Sequence, residues 1–204
     1  MLRDELRAHT CSHHERIEQV LDIPRSVRSS CAYLQLLKGF YGFYAPYESQ
    51  LLAHAAQLAE AGVDLSSRLK TQNLCDDLRS MSVREEHIAH LPRCEQLPNL
   101  RTWHHALGAM YVTEGSTLGG QIITRALRQS LILDGALGMA FLTGYASKTG
   151  MMWRSFVEAL NSVELVASER EAVLATAAQT YESLSNWFGS TRVRVIGGIV
   201  SSGY

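Results

Sequence analysis

Residues 111–121 read YVTEGSTLGGQ, inside a longer stretch whose apolar residues recur with the 3.6-residue period of a helix. This segment nevertheless holds Gly115, Gly119 and Gly120. Each glycine inside a helix costs about 1 kcal/mol relative to alanine, so three of them persist only where something must come close to the backbone. Gly115 and Gly119 are four residues apart and share one face. On that face they admit either a second helix or a flat ligand, and they let the helix bend or unwind locally. Ser116 and Thr117 between them offer hydroxyls to ordered water. The spacing predicts that this helix has an N-cap at Asn99 and reaches about Ser130.

The same period dominates the rest of the chain, and strand-like alternation is nearly absent. Prolines fall only at positions 24, 46, 92 and 98. A first helix is predicted from Leu2 to Leu21, stopping before Pro24. A second runs from Cys31 to Ala61, dense in aromatics between Tyr33 and Tyr47, with Pro46 set to kink or split it. Those aromatics read as core. A shorter helix covers Leu65 to Ser80, and the stretch LPRCEQLPN (91–99) reads as a loop. After a turn at Asp134-Gly135, helical pattern returns from Gly138 to Asn161, broken around Gly144 to Gly150. Ser168-x-x-Glu171 is a capping box for a last helix ending near Phe188 at Gly189. The expectation is one all-α domain over residues 1–188, followed by a flexible C-terminal tail over 189–204.

The chain has 204 residues, 46% of them apolar and 19% charged, enough for a sizeable core and too apolar for wholesale disorder. Its net charge of −1 argues against a dedicated nucleic-acid binder, which carries a basic excess. Four separated cysteines without a Cys-x-x-Cys pair read as reduced thiols in a cytoplasmic protein. The charged start MLRDELRAH lacks the apolar region of a signal peptide, and no run approaches the roughly 18 apolar residues of a membrane span.

The first helix carries adjacent histidines. Its apolar set (Leu2, Leu6, Ile17, Val20, Leu21) clusters on one face, with His13 near the middle and His14 roughly 80° away at the edge. Periodicity alone therefore makes His13 the buried histidine and His14 a boundary residue able to reach a pocket beside the core. Arg7, seven residues before His14, projects from nearly the same side about 10 Å away. A histidine and a cation on one stripe suit a metal centre and an anion of the same ligand, or else a half-buried histidine beside solvated charges. The pairs His87/His90 and His104/His105 lack a third spaced ligand and read as surface or packing residues. No Glu-x-x-His is present, against a di-iron carboxylate bundle. Nucleotide-binding glycine motifs and Gly-x-Ser-x-Gly are missing, and Glu114-Gly115-Ser116 lacks the strand that a nucleophile elbow needs.

Taken together, two of these regions resemble the heme oxygenase family. Thr10-x-x-x-His14-x-x-x-Glu18 is similar to the family's proximal-helix pattern, which implies that His14 is the axial iron ligand rather than His13. GSTLGGQ (115–121) resembles the glycine-rich distal helix, and YVTEGSTLGGQ is most like the bacterial, biliverdin-producing branch. Weaker similarity continues through FLTGYASKTGMMWRSF (141–156). The resemblance implies an all-α heme oxygenase-like fold holding heme between a proximal and a distal helix. It places Gly115, Gly119 and Gly120 against the heme, with Gly115, Ser116 and Gly119 as the catalytic wall. Arg7 would pair with a heme propionate, with Tyr111 and Arg154 as weaker candidates. The implied reaction cleaves heme, both cofactor and substrate, with O2 to biliverdin, CO and ferrous iron. Electrons would come from an external ferredoxin or reductase, because no flavin or nicotinamide motif is present. A biliverdin acceptor such as a phytochrome, and iron recovery, are both compatible. A non-degrading heme carrier on the same fold is the alternative. One departure stands out: many members carry an aspartate where this chain has Ser116.

Overall fold

Pro46 sits inside helix α2 (Ser30–Leu52) without breaking it. A proline removes the N–H that would bond the carbonyl four residues earlier, here that of Gly42. That carbonyl accepts the Cys94 N–H instead, at 2.9 Å, so the loop at 91–99 docks on the acceptor that proline leaves free. A Cβ at Gly42 would stand 2.6 Å from the Pro92 carbonyl oxygen, so the loop reaches the helix only because residue 42 has no side chain. The break expected at Pro46 falls later, at Ala53–His54, and α3 (Ala55–Glu60) completes the stretch. Ser29 caps α2 by accepting the Ala32 N–H at 3.1 Å.

The structure, a computed structural model, describes residues 1–23, 25–130 and 138–197; the turn expected at Asp134-Gly135 and residues 198–204 lie outside them. Among the described residues there are helices and no strand. The remaining helices are α1 (Leu2–Leu21), α4 (Thr71–Ser80), α5 (Glu85–Ala89), α6 (Trp103–Ser130), α7 (Ala140–Thr143), α8 (Thr149–Ser162) and α9 (Ala167–Gly197). No helix among the described residues is long and apolar enough to cross a membrane.

The ends of several helices differ from expectation for local reasons. The segment expected as one helix over 65–80 opens with a 3-10 turn at Leu65–Ser67, because the Asp64 carboxylate accepts from both the N–H and the hydroxyl of Ser66. Helix α6 starts at Trp103 rather than after Asn99, with the Thr102 carbonyl accepting the Ala106 N–H. It stays helical through all three glycines. At α9 the expected box is displaced by two residues: Glu169 accepts the Val166 N–H at 3.0 Å. That helix also runs past Gly189 to Gly197; a glycine lowers helix propensity by about 1 kcal/mol without forbidding the conformation.

Helices α6 and α9 form the centre of the molecule. They cross at Gly108, where any Cβ would strike the Val173 backbone. Helix α1 lies along α9, joined by Arg170–Glu5 at 2.7 Å and His13–Glu182 at 3.3 Å. Of the α2 aromatics, Tyr33, Phe43 and Tyr47 are buried core, as expected. The short α7 is held by α4. Buried Asp77 accepts the N–H groups of Ala140 at 2.8 Å and Phe141 at 2.9 Å, and the Ser80 hydroxyl accepts that of Gly138 at 2.9 Å. Burial pushes the Asp77 carboxyl above its ordinary value, and the two amide donors pull it back. Asp77→Ala should cost about 1–2 kcal/mol in urea unfolding, the size of a lost N-cap. It should speed hydrogen exchange at the Ala140 and Phe141 amides more than elsewhere.

Candidate active site

A cavity opens between α1 and α6, with α2, α7 and α9 completing its walls. Its α6 wall includes Gly115, Gly119 and Gly120. An added Cβ at Gly119 would meet nothing within 4 Å, and one at Gly115 would touch only the Trp153 ring, at an ordinary 3.6 Å. Only the Trp153 ring of α8 approaches either position, and at an ordinary contact distance, so neither glycine is demanded by a close helix crossing, and both border the cavity. Gly120 differs. Its Cβ would lie 2.5 Å from the Leu142 carbonyl oxygen, which makes it the glycine of close packing, although its backbone also borders the cavity. The two readings of this segment thus fall on different glycines.

From α1, His14 lines the cavity and His13 does not. The His14 ring stands edge-on to buried Tyr181, centroids 5.8 Å apart at 89°. Its Nδ1 lies 3.8 Å from a Glu18 carboxylate oxygen, and its Nε2 has no hydrogen-bond partner among the described residues. His13 is the more buried, 27% exposed against 53%, but turns to Glu182 on α9. Helical periodicity ranked the burial of the pair correctly. Burial and access to the cavity are separate properties here.

Arg7, Tyr111 and Arg154 stand outside the cavity lining. Tyr111 is half-buried, its ring 5.9 Å from that of Trp153. Burial raises its pKa, while Arg3, a hydrogen bond with Thr10 and Arg7 lower it, so Arg7 and Tyr111 share a neighbourhood. Arg7 and Arg154 are exposed. His87, His90 and His105 make local contacts with Arg84, Glu86 and Thr102, and His104 of α6 lies 3.7 Å from Glu169 of α9. Among the described residues no group of three or more His, Cys, Asp or Glu could hold a metal ion.

A family model for heme oxygenase matches residues 1–190. The chain belongs to the heme oxygenase family. The solved heme oxygenase of Leptospira interrogans is similar over 93% of this chain and 98% of that one, with 19% identity and a TM-score of 0.79. The NO- and CO-bound heme oxygenase of Neisseria meningitidis is similar over 100% of this chain and 95% of that one, with 20% identity and a TM-score of 0.77. No curated protein matches the chain by sequence. The fold is the all-α heme oxygenase fold, and the family implies heme binding.

Two polar features of this heme oxygenase family member escaped the sequence. The first is Tyr44, which lines the cavity from α2. Burial pushes its phenol well up, opposed by a hydrogen bond with Ser116. Ser116 donates to the Thr113 carbonyl at 2.8 Å and Thr117 to that of Glu114 at 2.7 Å. Both hydroxyls are thus committed to the helix, a pattern that bends helices.

The second is a buried charge cluster behind the glycine wall. Glu114 is 1% exposed and pairs with Arg68 and, at 2.8 Å, with Lys70. Tyr145 donates to the same carboxylate at 2.7 Å, and Ser155 accepts from Arg68 at 2.9 Å. Glu48 accepts the backbone N–H groups of Lys70 and Thr71. The available signal was a carboxylate between Val112-Thr113 and Gly115, on a helix otherwise apolar there. Its partners Arg68 and Lys70 lie 46 and 44 residues away in sequence and Tyr145 lies 31 away, so no local pattern reveals them.

Two predictions follow from these placements. Gly119→Ala should leave the ligand-free protein as stable or up to about 1 kcal/mol more stable, whereas Gly120→Ala should destabilise it by about 1–3 kcal/mol through overpacking. Thermal melts of both variants check the contrast. Glu114→Gln strands two buried cations and should cost about 3–5 kcal/mol in urea unfolding. A change below about 1 kcal/mol would mean that the cluster is solvated.

Proposed function

We propose that the chain binds heme between α1 and α6 and cleaves it with O2 and external electrons to biliverdin, CO and ferrous iron. The observation that carries this reading is the pairing of the unengaged Nε2 of His14 with a wall of α6 whose Gly115 and Gly119 present no side chain to the same cavity. That arrangement fits a flat ring with an axial nitrogen ligand. When bound, heme supplies both the iron that activates oxygen and the porphyrin that is cleaved.

The protein's residues divide the remaining work. Glu18, 3.8 Å from Nδ1, favours the tautomer with hydrogen on Nδ1 and leaves the Nε2 lone pair for iron. Tyr181 limits rotation of the imidazole through its edge-on contact. Gly115, Ser116 and Gly119 bring backbone over the ring, which restricts its tilt and excludes bulk water. Phe40, Ile17 and Leu184 give the ring apolar surroundings. Tyr44, hydrogen-bonded to Ser116, holds a proton at the edge of the cavity. Arg7, with Tyr111 and Arg154 as weaker candidates, is assigned to the propionates at the solvent edge. A ferredoxin or reductase would deliver electrons, and the biliverdin would pass to an acceptor such as a phytochrome or be discarded after iron recovery.

Titrating the purified protein with hemin and then adding a reductant in air tests the proposal. A Soret band followed by its loss and the rise of biliverdin absorbance is expected. A stable Soret band without turnover would make the protein a heme carrier, and no band would reject heme binding. His14→Ala should abolish the histidine-ligated spectrum and turnover, with added imidazole partly restoring the spectrum. His13→Ala should keep both and cost about 1–3 kcal/mol of stability. Loss of the axial ligand in His13→Ala would reverse the assignment.

A further inference from the structure

Lys70 is the cation among the described residues lining the cavity, and the chemistry above leaves it unused. Its side chain is only 5% exposed. The ammonium donates to Glu114 Oε1 at 2.8 Å, to the Arg68 carbonyl at 2.9 Å and to the Tyr145 hydroxyl at 3.1 Å. Three donors meet three acceptors, so the amine is fixed, and Glu48 fixes the backbone beneath it through the Lys70 N–H. Neither Glu114 nor Arg68 lines the cavity. Lys70 is therefore the member of this cluster that borders the cavity. Because Lys70 is tied to α6 through Glu114, its charge belongs to the glycine side, while His14 and Glu18 of the lining belong to α1 and the phenols of Tyr44 and Tyr181 to α2 and α9. A fixed charge in a water-poor cavity acts strongly on a charged neighbour and hardly at all on a neutral one.

We propose that Lys70 is a specificity-determining cation that makes the open side of a His14-ligated iron prefer anionic ligands over neutral ones. This rests on the heme-binding reading above. Dioxygen that has taken up an electron is anionic and the carbon monoxide released is neutral, so the same charge favours the reacting ligand over the product.

The test compares dissociation constants of azide and fluoride with those of imidazole on the ferric, heme-loaded protein and its Lys70 variants. In Lys70→Met, azide and fluoride affinity should fall about tenfold or more, while imidazole changes by no more than about twofold. Lys70→Arg, which keeps the charge, should restore the anion preference to within about threefold of the parent. Where Lys70→Met does not fold by circular dichroism, Lys70→Gln replaces it, keeping donors for Glu114 and Tyr145 without the charge. Equal losses for azide and imidazole would show a merely structural role, and unchanged preference in the uncharged variants would overturn the proposal. A normal His14-dependent Soret band with unaltered azide preference overturns this inference alone. No His14-dependent band in the parent protein overturns the heme-binding reading together with it.

Discussion

A helix that lines a cavity gains little packing from that face, and at Gly115 and Gly119 α6 brings no side chain to it at all. Helix α6 therefore has to be held from its other sides, and Glu114 does this at the centre. Its carboxylate ties α6 to Arg68 and Lys70, before α4, and to Tyr145, before α8. On either side of it the backbone makes close crossings: Gly108 against Val173 of α9, and Gly120 against Leu142 of α7. Two packing glycines and one ion cluster bracket Gly115 and Gly119, neither of which is pressed by a neighbour. A buried ion pair is weak evidence of net stability, since apolar replacements often do as well. What this one supplies is position, because a hydrogen-bonded charge cluster has one good geometry where an apolar contact has several.

The fold was legible because helices announce themselves by period, and the ends of α1 match the reading from residue pattern alone. Boundaries were less legible where the deciding partner is not local. Asn99 has the chemistry of a cap, yet Thr102 precedes the helix that forms. Ser168 and Glu171 have the spacing of a capping box, yet the frame two residues earlier is used, with Glu169 on the Val166 N–H. Pro46 reads as a helix breaker until one knows that Cys94 supplies a donor for the carbonyl it leaves free.

The candidate site divides in the same manner. The spacing of Gly115 and Gly119 put both on one face, and the structure leaves that face open. Gly120, one residue on, could not be separated from them by sequence, since only the arrival of the Leu142 carbonyl distinguishes packing from access. The histidines were separable by 100° of helical rotation, and it is the less buried one that reaches the cavity. Tyr44 and Phe40 were read as core with the other aromatics of α2, and they are apolar wall as much as core. An aromatic run at helical spacing carries no mark of which rings border a cavity. Glu114, Arg68 and Lys70 were missed because ion pairs formed across the fold leave no periodic trace.

The serine at position 116 becomes intelligible through the same cluster. Many relatives place an aspartate there, and an aspartate would bring a further negative charge to a region that already contains two. Glu48 and Glu114 both act to raise the pKa of Tyr44, the immediate partner of residue 116, on top of the effect of burial. The charges of Glu48 and Glu114 are already matched, the one by the N–H groups of Lys70 and Thr71 and the other by Arg68 and Lys70. A further carboxylate at 116 would have no cation of its own unless it drew Lys70 away from Glu114. Serine needs no such partner. Its hydroxyl donates to the Thr113 carbonyl of its own helix, and the carboxylate of this part of α6 stays at Glu114, where two cations and the Tyr145 hydroxyl satisfy it.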